Sequence, residues 1–64
     1  MKIKLQVNQK FVSVNNPNWI EEWRNKTMVV ERVEKNYVYS EEFEWFSKDI
    51  DWEKTKELNN QVAG

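Results

Sequence analysis

Residues 42–52 read EFEWFSKDIDW, carboxylates interleaved with aromatic rings and almost nothing neutral between them. Two chemistries could use such a stretch: paired acids for proton transfer, or rings and charges for docking. The first finds little footing. The chain has no histidine and no cysteine, so the usual general base, the usual zinc ligands and the strongest nucleophile are missing. Glu42 and Glu44 would project from one strand face, but adjacent acids on an exposed strand also discourage edge-to-edge aggregation, and that reading is favoured. Gly64 is the only glycine, which rules out a glycine-rich phosphate loop. The expectation is a non-enzyme with no catalytic residue, metal ligand or cofactor.

Docking fits the composition better. A 64-residue chain is one domain at most, and a domain of this length buries only about 60% of the surface its unfolded chain exposes. Its core must be dense in large side chains, supplied by Trp19, Trp23, Trp45 and Trp52 with Phe11, Phe43, Phe46, Tyr37 and Tyr39. So small a domain cannot hide all of them, and Trp is seldom fully buried even in larger proteins. The rings left outside are typical interface anchors. The candidates are Trp19 in a loop, Tyr37 and Tyr39 at a hairpin, and Trp52 near the end, which could equally belong to the core. Phe43, Trp45 and Ile50 are expected inside.

Charge sorts the possible partners. Residues 1–40 carry seven Lys and Arg against four Glu, whereas residues 41–64 carry three Lys against seven Asp and Glu. Rings beside Lys10, Arg24, Lys26, Arg32 and Lys35 would suit single-stranded nucleic acid. Rings beside Glu41, Glu42, Glu44, Asp49 and Asp51 would repel phosphate and suit a basic protein, including one that normally holds DNA. The acidic half is the more concentrated, so a protein partner is the leading expectation, with nucleic acid second. A homodimer joined along an edge strand is the third.

The elements that must position these residues read as short extended segments. Lys2–Val7 alternates strictly, putting Ile3, Leu5 and Val7 on one face. Phe11–Val14 is a second segment. Asn8-Gln9 between them forms either a tight turn, setting Leu5 opposite Val12 and Ile3 opposite Val14, or a bulge in a single strand. Asn15-Asn16-Pro17-Asn18 opens a loop. Trp19 and Trp23 follow at i and i+4, a helical turn with Asn18 as its N-cap. Thr27–Val33, rich in β-branched residues, is a strand leading through Lys35-Asn36 to Tyr37-Val38-Tyr39, so 27–40 reads as a hairpin. Phe43 and Trp45 share one face of a further strand, and Ile50 and Trp52 share a face of a last one. Residues 54–64, poor in apolar side chains, are expected to fray.

This layout, with Val7-Asn8-Gln9-Lys10-Phe11-Val12, Trp23-Arg24-Asn25-Lys26-Thr27-Met28-Val29-Val30 and Trp45-Phe46-Ser47-Lys48-Asp49-Ile50, resembles SH3-like small barrels. Their diverging turn, W-x-G-K-x-G-x-V segment and closing 3₁₀ turn are similar to these three stretches. The family's glycines are replaced by Asn8 and Asn25, and Asn tolerates the left-handed backbone better than most residues. The resemblance implies a mainly β fold, a five-stranded SH3-like barrel over residues 1–53 with a short helical turn in its first long loop, and binding rather than catalysis. The Asn- and Lys-rich, Trp-heavy composition also resembles small accessory proteins encoded by phages of low-GC bacteria, many of which act on host proteins. No apolar run approaches the roughly 20 residues of a membrane span, and Met1–Gln6 lacks the hydrophobic segment of a signal peptide. A cytoplasmic location is the expectation.

Overall fold

The computed structural model describes residues 3–60. The fold is mainly β: strands β1 (Lys10–Val12), β2 (Thr27–Val29), β3 (Arg32–Val33), β4 (Tyr37–Ser40) and β5 (Phe43–Phe46), then helix α1 (Trp52–Asn60). One 3₁₀ turn, Glu21–Trp23, lies between β1 and β2, and another, Ser47–Asp49, follows β5. The first is the helical turn expected in the long loop, although Ile20 rather than Asn18 precedes it in the capping position.

The strands form two antiparallel sheets, β1-β2 and β3-β4-β5. In the first, Phe11 sits opposite Met28; in the second, Val38 sits opposite both Val33 and Trp45. The chain changes sheet at Val30-Glu31: the Val30 N–H donates to Gln9 (2.8 Å), and the Glu31 N–H donates to Tyr39 (2.9 Å). A lone antiparallel bridge joins Ser13 to Ile50. Five strands are thus present, the number expected although not all the expected segments, and at two to four residues long they form two sheets rather than one closed barrel ladder.

Eight apolar side chains make the core cluster: Ile3, Leu5, Phe11, Met28, Val30, Val38, Trp45 and Ile50, with Trp19, Trp23 and Val33 packed against it. Small hydroxyls pin the strands from inside. The Ser13 hydroxyl donates to the Trp23 carbonyl (2.7 Å) and accepts from the Lys26 N–H (2.8 Å), and the Ser40 hydroxyl donates to the Val29 carbonyl (2.7 Å). Every buried side-chain nitrogen and oxygen among the described residues has a partner, as burial demands.

Several expectations are corrected. Ile3 and Leu5 are buried, as their alternation predicts, but residues 3–6 join no ladder and Val7 is exposed. Asn8 does turn the chain, at φ 77°, yet Leu5 and Ile3 do not pair with Val12 and Val14, because β1 pairs with β2 instead. Hence the hairpin is β3-β4 alone, not all of 27–40. Phe43 lies 53% exposed rather than in the core.

Ile50 and Trp52 share no strand, since Trp52 opens α1. The Asp51 carboxylate accepts from the Lys54 N–H (3.1 Å), satisfying one of the free amides at a helix start. Residues 54–60 are therefore helical rather than frayed, and residues 61–64 lie outside the described residues. A nine-residue helix is marginal in water alone. What holds α1 is β1: the buried Thr55 hydroxyl accepts from the Val12 N–H (3.0 Å) and the Asn59 amide donates to the Lys10 carbonyl (3.1 Å). No helix among the described residues is long and apolar enough to cross a membrane.

Candidate functional site: an aromatic groove

Burying Trp45 sets the position of the other rings. Its indole N–H donates to the Ser40 carbonyl across the β4-β5 turn (3.0 Å), and the ring rests edge-on against Phe11, centroids 6.1 Å apart. Trp19 meets it at 5.7 Å and 77°, and Trp23 at 5.9 Å and 38°. Phe43 then closes on Trp23 edge-on at 5.1 Å. Offset and edge-to-face contacts of this kind each add about 0.5–1.5 kcal/mol beyond area burial.

Arg24 fixes the loop that carries Trp19. Its Nε donates to the Trp19 carbonyl (2.9 Å) and its Nη2 to the Pro17 carbonyl (3.1 Å). Asn25 beside it takes the left-handed conformation, φ 50°, which Asn tolerates better than most residues.

These rings form a groove of about 530 Å³, walled by Trp19, Trp23, Phe43 and Trp45 with Ile20 and Phe46 at its margins. Ile20 is 62% exposed and Phe46 40%. The charged side chains lining it are Glu44, Asp49 and Lys48. Asp49 is held in place, since its carboxylate accepts from the Phe46 N–H (3.1 Å). Glu21 and Glu22 stand exposed on the 3₁₀ turn between Ile20 and Trp23. Lys26 lies over the Trp23 ring at 4.4 Å while its Nζ pairs with Glu41 at 2.9 Å.

Glu41 and Glu42 form the two-residue β4-β5 turn, Ser40 facing Phe43 across it. Both have positive φ, 50° and 70°, the type I′ pattern that Asn and Gly normally supply. A non-glycine residue there costs roughly 1–2 kcal/mol. Glu41 recovers part of this through Lys26 and through its own N–H, which donates to the Glu31 carboxylate (2.8 Å).

The expected partner-binding residues therefore fall into three places. Trp19, Glu44 and Asp49 line the groove, with Glu41 tied to it through Lys26 and Glu42 in the adjoining turn. Tyr37 and Tyr39 face outward from β4, alternating with buried Val38 and Ser40. Tyr37 packs on Phe46 at 5.4 Å, and Tyr39 lies 4.8 Å beneath the Arg32 guanidinium. Hydrogen bonding toward Tyr37 leads the influences that raise Arg32 above its ordinary value, with the Glu34 carboxylate adding to it. Asp51 and Trp52 belong to the start of α1, away from the groove lining.

Of the five cations considered for a basic face, three are engaged elsewhere. Lys26 pairs with Glu41, Arg32 with Glu34 at 2.7 Å, and Arg24 with loop carbonyls. Trp23, Phe43, Ile20 and Phe46 are groove residues absent from the expected binding set. The i, i+4 spacing of Trp19 and Trp23 was the available signal for one of them. Among the described residues no cluster of three Asp, Glu, His or Cys side chains is placed to hold a metal ion. No family model matches the chain, and no curated protein or solved structure shows significant similarity to it.

Proposed function

We propose that this chain is a non-enzymatic docking module that takes a basic segment of a protein partner into the aromatic groove. The observation that carries the reading is the exposure of Phe43 and Ile20, 53% and 62%, at a groove walled by indoles and edged by Glu44 and Asp49. Rings and apolar side chains gathered at an open concavity are the usual anchors of recognition, and carboxylates at its rim select a cationic partner and repel phosphate. An SH3-like barrel is the fold-level form of the same proposal. It is supported by the β3-β4-β5 meander, the 3₁₀ turn after β5 and the Ser13–Ile50 bridge. Action in the cytoplasm as a phage accessory protein on a host protein rests on composition alone.

The test compares capture from bacterial lysate by the wild type and by Phe43→Ser and Glu44→Lys, two exposed positions whose change leaves the core intact. A basic protein retained by the wild type and lost from both variants is the expected result. Proteins retained equally by all three, or none retained, would overturn the reading.

A further inference from the structure

A second, smaller groove of about 310 Å³ lies between the N-terminal segment and α1, and its lining includes Lys4, Leu5, Gln9, Trp52, Lys56 and Asn59. Its chemistry differs from that of the aromatic groove. Two cations line it and no carboxylate does, although α1 itself carries Glu53 and Glu57.

Helical phase explains the separation. Trp52, Thr55, Lys56 and Asn59 stand at i, i+3, i+4 and i+7, one stripe of the helix. Glu53 and Glu57 each follow a stripe residue by one position, about 100° further round. Thr55 and Asn59, bonded to Val12 and Lys10, turn that stripe toward β1 and the segment carrying Lys4 and Leu5. Of the charged residues of α1, Lys56 alone therefore lines the groove, where Lys4 joins it.

Trp52 is held in orientation without being hidden. Its indole N–H donates to the Ser47 carbonyl (3.1 Å) and hydroxyl (3.3 Å), while 37% of the residue remains exposed. Among the described residues, neither Lys4 nor Lys56 is paired with a carboxylate. A fixed ring, two unpaired ammonium groups and amide side chains, with no acid lining the site, complement a planar base joined to phosphates. We infer that this face binds single-stranded nucleic acid, with one base stacked on Trp52 and the flanking phosphates held by Lys4 and Lys56. The site shares no lining residue with the aromatic groove and stands independently of the function proposed for it.

The experiment is a titration of the intact protein against fluorescently labelled dodecathymidylate, read by anisotropy at increasing salt. Two phosphate contacts on a single strand give a slope of log K against log salt of about -1.4. Trp52→Leu is expected to weaken binding at least fivefold with the slope unchanged, and Lys56→Gln, a conservative surface change, to halve the slope. Phe43→Ser is expected to bind the oligonucleotide like the wild type. The inference is overturned by an absence of binding at low salt, by binding lost in Phe43→Ser, or by inorganic polyphosphate competing as well as the oligonucleotide while Trp52→Leu changes nothing. Thymidine monophosphate binding as tightly as the 12-mer would also overturn it, since the ligand would then be a free nucleotide rather than a strand.

Discussion

Replacing Thr55 by valine keeps the side-chain shape and exchanges the hydroxyl for a methyl group that cannot accept a hydrogen bond. Thr55 is 2% exposed, and its Oγ1 accepts from the Val12 N–H at 3.0 Å, so the substitution leaves a buried backbone donor without a partner. That loss is about 1–3 kcal/mol. Replacing Thr55 by serine keeps the acceptor and deletes one methyl group, about 0.8 kcal/mol of transfer energy plus a small cavity contribution. Total stability for a domain of this size is about 3–10 kcal/mol, at 0.05–0.15 kcal/mol per residue. A loss of about 2 kcal/mol lowers Tm by about 8–16 °C. Thermal denaturation followed by circular dichroism should therefore rank wild type above Thr55→Ser and Thr55→Val lowest. Exchange of the Val12 amide, measured by NMR, should accelerate in the valine variant far more than in the serine variant. A valine variant as stable as the serine variant would mean that α1 is held by packing rather than by this hydrogen bond, and the account of how the helix attaches would fail.

Two further outcomes follow from the same geometry. Glu42→Gly relieves a left-handed residue (φ 70°) whose side chain has no hydrogen-bond or ion-pair partner among the described residues, and should raise stability by roughly 0.5–1 kcal/mol; a lower urea midpoint would contradict the strained-turn assignment. Arg24→Lys keeps the charge but cannot fork to the Trp19 and Pro17 carbonyls. It should speed amide exchange in residues 17–23 and weaken capture of the groove's partner several-fold, and unchanged exchange there would show that the clamp is not what orders the loop.

Legibility in the sequence depended on whether a residue's role was set by its neighbours in the chain. Asn8 and Asn25 at positive φ, the 3₁₀ turns and the burial of Ile3, Leu5, Trp45 and Ile50 were legible because turn chemistry and side-chain alternation are local. Helix α1 escaped notice because its apolar content is low and its anchors are polar. Thr55 and Asn59 reach residues 43 and 49 positions away, which no window of the sequence reveals, although Asp51 before a run of good helix formers is a local capping signal. Of the residues expected to bind a partner, Trp19, Glu44 and Asp49 line the groove. Phe43 was misplaced because period-2 alternation assigns it the face of Trp45 without showing that the sheet edge leaves that end of the strand uncovered.

The outer edge of β1 is completed late in the chain: Val12 bonds to Asp51 and Thr55, Lys10 to Asn59, and Ser13 bridges Ile50. During synthesis, a nascent chain that has not yet released residues 50–59 from the ribosome exposes a strand with open hydrogen-bonding groups beside rings that have no cover. Such an intermediate is a template for aggregation. Termination between residues 46 and 50 would be expected to yield insoluble material even though every strand of both sheets had already been translated.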